Sequence, residues 1–256
     1  MKGLSLEQEQ MILPTDTILL GYTGSISHGT YRPNTDENSS DDKDIMGIAI
    51  APIECYFGLE NFEQKIVQYE EWDSCVYEIR KMFRLLLQQN PNVLCTLWLE
   101  PNHYIRVTAL GRRILDNRHL FVSKQAHKAF NGYAYAQMQR MQHGVFNGRL
   151  GERRKKIYES LGYDGKCAAH LIRLLRMGIE FLTEGELHVL RPDAPQLVSI
   201  KRGEWKLEDV KAEATRLFAL ADEAYVRSTL PNQPDRAGAQ KLLIDILQDH
   251  FENVHQ

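Results

Sequence analysis

The chain has 256 residues, 43% of them hydrophobic and 25% charged, with a formal net charge of −3. That is the make-up of a soluble globular protein, long enough to bury a substantial core as one or two domains. No apolar run approaches the ~20 residues of a membrane-spanning helix, and the slight acidic excess excludes a global basic signature of nucleic-acid binding.

The first residues carry Glu7 and Glu9 where a signal peptide would have an apolar core. The four cysteines, Cys55, Cys75, Cys95 and Cys167, are scattered with no C-x-x-C pair, as expected of reduced thiols in a cytoplasmic protein. Thr17 to Tyr22 reads as a strand, and a turn of small residues follows it directly, Gly24-Ser25-Ile26-Ser27-His28-Gly29-Thr30. The backbone N–H groups of such a turn can approach a phosphate closely. Tyr31 to Asp41 is polar and acidic and reads as an exposed loop. Asp42-Lys43-Asp44 then opens the apolar run Ile45 to Ile50.

Residues two apart in a strand share a face, so Asp42 and Asp44 should project side by side. Adjacent carboxylates repel unless a cation sits between them. Magnesium favours such oxygen ligands, completed by substrate phosphates. A phosphate cradle beside a metal pair is the outline of a nucleotide site.

Three common motifs fail on the same residues. Gly24 and Gly29 have P-loop spacing, but Thr30 and Tyr31 stand where a P-loop needs Lys and then Ser or Thr. Asp36, Asn38 and Ser40 alternate like an EF-hand, yet Asp41 and Gly47 occupy the positions of its Gly and bidentate Glu. Gly21 and Gly24 do not make a dinucleotide fingerprint.

Beyond the Asp pair, Lys65 to Tyr69 alternates like a strand and Asp73 marks a break. Val76, Ile79, Met82, Phe83, Leu86 and Leu87 recur at helical spacing. They predict a helix capped by Asp73 or Ser74 and stopped at Asn90-Pro91. Val93 to Leu99 is a buried apolar segment. After about residue 120 nearly every segment reads as helix: Ser123 to Gln142, Lys166 to Leu182, Leu207 to Tyr225 and Lys241 to Phe251, with a short strand at Leu187 to Leu190. Phe130, Tyr133 and Tyr135 read as core rather than as a base-stacking platform, and Arg149 and Arg153 to Lys156 as a solvated basic face, with a patch for RNA, DNA or a polyphosphate tail as the alternative. The predicted architecture is α+β, a small mixed-sheet domain over residues 1–120 followed by an all-helical domain over 121–256.

The order of these elements resembles the DNA polymerase β-like nucleotidyltransferase superfamily. Gly24 and Ser25 match its Gly-Ser turn, and Asp42 and Asp44 match its Asp-x-Asp pair. Val76 to Lys81, Asn90 to Leu94, and Gly162-Tyr163-Asp164 with Lys166, His170 and Arg173 look like one branch of it, the predicted nucleotidyltransferases of bacteria and phages. The gap from Ser25 to Asp42 is longer than the superfamily's usual spacing, and Tyr31 to Asp41 fills it.

The resemblance implies a metal-dependent transfer of a nucleoside monophosphate from a nucleoside triphosphate, ATP among them, to a hydroxyl acceptor with release of pyrophosphate. Asp42 and Asp44, with Asp73 or Glu78 as a third acid, would hold magnesium, or manganese in its place. Gly24 and Ser25 would hold the β- and γ-phosphates. Lys166, His170 and Arg173 share a helix face and would hold the phosphates from the other side. His28 would either donate to a phosphate oxygen or face solvent. An RNA or tRNA end and a polypeptide are both candidate acceptors. The alternative is a nucleotide-binding module without turnover, such as an antitoxin or regulatory subunit.

Overall fold

A computed structural model describes residues 4–32, 42–143, 158 and 162–254. Most of the acidic insert and the basic cluster at Arg149 and Arg153 to Lys156 lie outside the described residues. The start of the insert is not a free loop: Tyr31 is half-buried and Arg32 is buried.

Five strands make one mixed sheet: β1 (Thr17–Tyr22), β2 (Lys43–Ala49), β3 (Gln64–Tyr69), β4 (Trp72–Glu78) and β5 (Tyr104–Val107), in the order β3-β4-β2-β1-β5. Among the described residues the β2–β4 pairing is parallel and the other three are antiparallel. β1 is buried throughout because it is central and covered on both faces. Glu70, at φ 53°, lies between β3 and β4.

Strand parity divides the sheet. Leu20, Tyr22, Ile45, Trp72 and Val76 face a small core closed by Ile12 and Leu13, at and just beyond the C-terminal end of helix α1 (Leu6–Ile12). On the opposite face Met46 and Ile48 join a large core shared with the helices. Asp44 and Asp73 carry the same parity as Met46 and Cys75, one step nearer the strand starts. The acids therefore occupy the open end of a face whose other end is dry.

The helices named below are α2 (Gly24–Ser27), α3 (Glu54–Phe57), α4 (Ile79–Leu87), α5 (Pro91–Leu94), α6 (Ala109–Asp116), α7 (Ala126–His143), α8 (Gly165–Glu184), α9 (Ala194–Lys201), α10 (Leu207–Arg227) and α11 (Arg236–Val254). α8 is the central helix of the second half. Asp164 caps it by accepting from the Lys166 and Cys167 N–H groups, and Gly185 ends it in the left-handed conformation. Its Leu171, Leu174, Leu175 and Phe181 lie in the large core with Phe130 of α7 and Leu217 of α10. That core runs unbroken from Ile18 to Ile246.

Three expectations need correction. Residues 72–78 form strand β4, not the first turns of a helix, because each backbone position pairs in register with β2 on one side and with β3 along most of its length. Tertiary pairing overrides the helical spacing of Val76 and Ile79. Leu187 to Leu190 is not a strand; it is an irregular segment tied to the turn after β1. Of the three aromatics on α7, Phe130 is core, while Tyr133 and Tyr135 are exposed.

Candidate active site

One cavity of about 350 Å³ lies between the acidic end of the sheet and helices α8 and α9. Gly24, Ser25, His28, Asp42, Asp44, Asp73, Lys166, His170 and Arg173 all line it, although they come from segments far apart in the chain.

The sheet supplies the acids. Asp44 and Asp73 are direct partners in the parallel register of β2 and β4, and Asp42 stands just before β2. The turn is clamped onto this edge by the Thr23 N–H, which donates to the Asp44 carbonyl at 2.9 Å. Gly24 has φ 59°, and a Cβ there would overlap the Asp44 carboxylate. Only glycine allows both the left-handed turn and this approach.

Glu78 is elsewhere, which removes it as the third acid. It stands five positions after Asp73, an odd offset, so the two side chains leave β4 on opposite faces. At 1% exposure Glu78 caps α4 by accepting from the Lys81 N–H at 3.1 Å, accepts from the Tyr56 hydroxyl at 2.8 Å, and pairs with Arg80 at 3.2 Å. Its helical look in the sequence reflects the helix it caps.

The opposite wall is cationic. Lys166, His170 and Arg173 project from one face of α8, and Lys201, at the end of α9, joins them. The two helices touch at Gly165, where an added Cβ would lie 2.8 Å from the Lys201 carbonyl oxygen. Sequence spacing offers no signal for Lys201, because nothing local links residue 201 to residue 166. Asn92, next to the helix-stopping Asn90-Pro91, also lines the cavity.

Arg173 is the unusual member. It is 4% exposed, its Nη1 donates to the Met177 sulfur at 3.2 Å, and its Nε has no hydrogen-bond partner among the described residues. Among the described residues it makes no ion pair. Burial lowers its pKa to about 10, with the nearby Arg191 acting in the same direction, so it stays charged at neutral pH. Arg191 is also buried but is fully engaged, by Glu180 and Asp193. A buried guanidinium without a carboxylate is costly unless an anion completes it.

The two histidines are neutral. Burial, reinforced first by Arg173, pushes both His28 and His170 well below the ordinary histidine value. The His28 Nδ1 lies 2.9 Å from the Val189 carbonyl, so the proton of the neutral ring sits there and Nε2 carries a lone pair. His28 is therefore neither solvent-facing nor a ready donor. The Arg191 N–H, donating to the His28 carbonyl at 3.4 Å, fixes the same segment.

A sequence model of the family described as RlaP, the RNA repair pathway DNA polymerase beta family, matches residues 5–245. The chain belongs to this family. The RlaP match spans the sheet, the acids and the helical wall together, and it places the chain in the DNA polymerase β-like nucleotidyltransferase superfamily. Membership supports nucleotidyl transfer as its general reaction. Among solved structures, a nucleotidyltransferase-like protein from Exiguobacterium sibiricum 255-15 is similar at 12% identity, over 85% of this chain and 71% of that one, with a TM-score of 0.29. No curated protein matches the sequence. Among the described residues, no helix is long and apolar enough to cross a membrane.

Proposed function

We propose that this RlaP-family chain is a metal-dependent nucleotidyltransferase that adds a nucleoside monophosphate from a nucleoside triphosphate, such as ATP, to a hydroxyl at an RNA end. The observation that carries the reading is the division of one cavity into an acidic wall, Asp42, Asp44 and Asp73, and a cationic wall containing the buried Arg173, which has no carboxylate partner among the described residues. The family's link to RNA repair favours RNA over protein as acceptor.

The donor set fits magnesium, or manganese. Among the described residues no three His, Cys, Asp or Glu side chains close into a metal cage. Magnesium does not need one, since it binds through one or two carboxylates and completes its shell with phosphate oxygens and water. Asp42, Asp44 and Asp73 would hold the ions, which would neutralise triphosphate charge and lower the pKa of the acceptor hydroxyl.

The chain's own groups do the rest. Backbone N–H groups of the Gly24–Ser25 turn and the Ser25 hydroxyl hold the terminal phosphates. Arg173 and Lys166 meet the phosphate oxygens from the helical side, with Lys201 beside them. His28, buried behind the turn, fixes its shape. Asp73 takes the proton of the acceptor hydroxyl. That oxygen forms a bond to the α-phosphorus while the bond from the α-phosphorus to the bridging oxygen breaks, and pyrophosphate leaves with that electron pair. Asp73 beside the pair supports turnover over a binding-only module.

Titration of the protein with MgATP by calorimetry tests the cavity assignment. Wild-type binding lost in Asp44→Asn and weakened in Arg173→Met supports it. Equal affinity in all three proteins contradicts it.

A further inference from the structure

A second groove, of about 830 Å³, opens from the same site along α7. It shares Asn92 and His170 with the acidic cavity, so the two spaces meet at those side chains. Ala129, Gly132 and Ala136 form its floor on α7, while the opposite face of that helix is sealed into the core by Phe130 and Ala134. Among the described residues, a Cβ at Gly132 would meet nothing within 4 Å, so they leave the floor open.

The walls have a consistent chemistry. Lys128 and Arg140 line the groove twelve residues apart on α7, about 18 Å along the helix at 1.5 Å per residue. Among the described residues neither cation has an ion-pair partner, and no carboxylate lines the groove. Gln88 and Gln137 offer neutral amides. The Tyr133 ring is 38% exposed and is steadied by Asn90, whose amide donates to its hydroxyl at 2.9 Å. Spaced cations suit a phosphate backbone, an exposed aromatic suits an unpaired base, and amides suit base edges.

Resting on the nucleotidyltransferase reading, we infer that this α7 groove binds the single-stranded end of the acceptor RNA and delivers its terminal hydroxyl past Asn92 and His170 to Asp73. The groove thus assigns a path to the acceptor that is separate from the triphosphate wall.

The test is fluorescence anisotropy with a 5′-labelled twelve-nucleotide single-stranded RNA, beside MgATP titration of the same proteins. Gly132→Leu puts a strong helix former at an open position and fills the groove without touching the acids. Lys128→Ala/Arg140→Ala removes the two cations. RNA affinity is expected to fall at least tenfold in each, with MgATP affinity unchanged. In the double variant the slope of log affinity against log salt should become shallower by about 1.4, at 0.7 per phosphate contact on a single strand. Gly132→Ala should bind RNA as wild type does. Unchanged RNA affinity in Gly132→Leu or in the double variant overturns the proposal, as does a wild type that ignores RNA and labels a polypeptide. A wild type that binds RNA through these residues but never binds MgATP upholds the groove and sinks the nucleotidyltransferase reading instead.

Discussion

Asp44 and Asp73 are register partners on the parallel strands β2 and β4, on the same face of the sheet, and Gly24 lies against the Asp44 carboxylate. A parallel pairing is what brings two acids 29 positions apart to one strand end. The first prediction follows from it. Asp73→Asn should abolish nucleotidyl transfer with little change in melting temperature, because Asp73 is exposed and has no structural partner among the described residues. Glu78→Ala should do the reverse, destabilising by about 2–4 kcal/mol through loss of a helix cap and buried charged hydrogen bonds, while the folded fraction still transfers. Urea unfolding and a transfer assay on both variants separate the roles, and a dead Glu78→Ala protein with normal stability would contradict them.

Gly24→Ala should cost about 1–2 kcal/mol of left-handed backbone strain and displace the Asp44 carboxylate that the new methyl would overlap. The expected result is a folded protein, slightly lower in melting temperature, with MgATP affinity reduced at least tenfold. Normal MgATP binding would show that the turn and Asp44 do not act together.

How much of this was legible in the sequence follows from the same residues. Gly24, Ser25, Asp42 and Asp44 were readable because they lie within one short stretch around two strands, where parity alone fixes direction. The face shared by Lys166, His170 and Arg173 was readable from helical spacing. Asp73 could not be separated from Glu78, because the choice depends on whether residues 72–78 are strand or helix. Pairing with β2 and β3 decides that, and it is a non-local fact. Lys201 and the exposed side of Tyr133 were hidden for the same reason: tertiary packing sets both.

Arg173→Met should leave stability equal or raised, since a buried charge without a carboxylate is replaced by an apolar chain of similar reach. MgATP affinity should fall about 10- to 100-fold, the equivalent of one charge-assisted hydrogen bond at about 1.5–3 kcal/mol. Thermal melting with and without MgATP checks both, and a destabilised variant with intact affinity would assign Arg173 to structure alone.

His28 sets a pH dependence. Burial, chiefly, with Arg173, His170 and Arg191 nearby, holds its folded pKa well below 6.5. The unfolded chain therefore binds the extra proton first on acidification. Stability is fully present above pH 6.5 and is lost as pH falls below it, by at most about 1.4 kcal/mol per pH unit for this group. Urea midpoints at pH 7.5 and 5.5 should show a smaller acid loss in His28→Gln than in wild type, and equal losses would remove His28 from the account.

The most direct test of nucleotidyl transfer uses α-labelled ATP, CTP, GTP and UTP with magnesium and total RNA, comparing wild type with Asp42→Asn/Asp44→Asn. The account predicts RNase-sensitive label from the wild type and none from the double variant. Equal labelling by both proteins, or no labelling with any nucleotide while MgATP still binds, would contradict it.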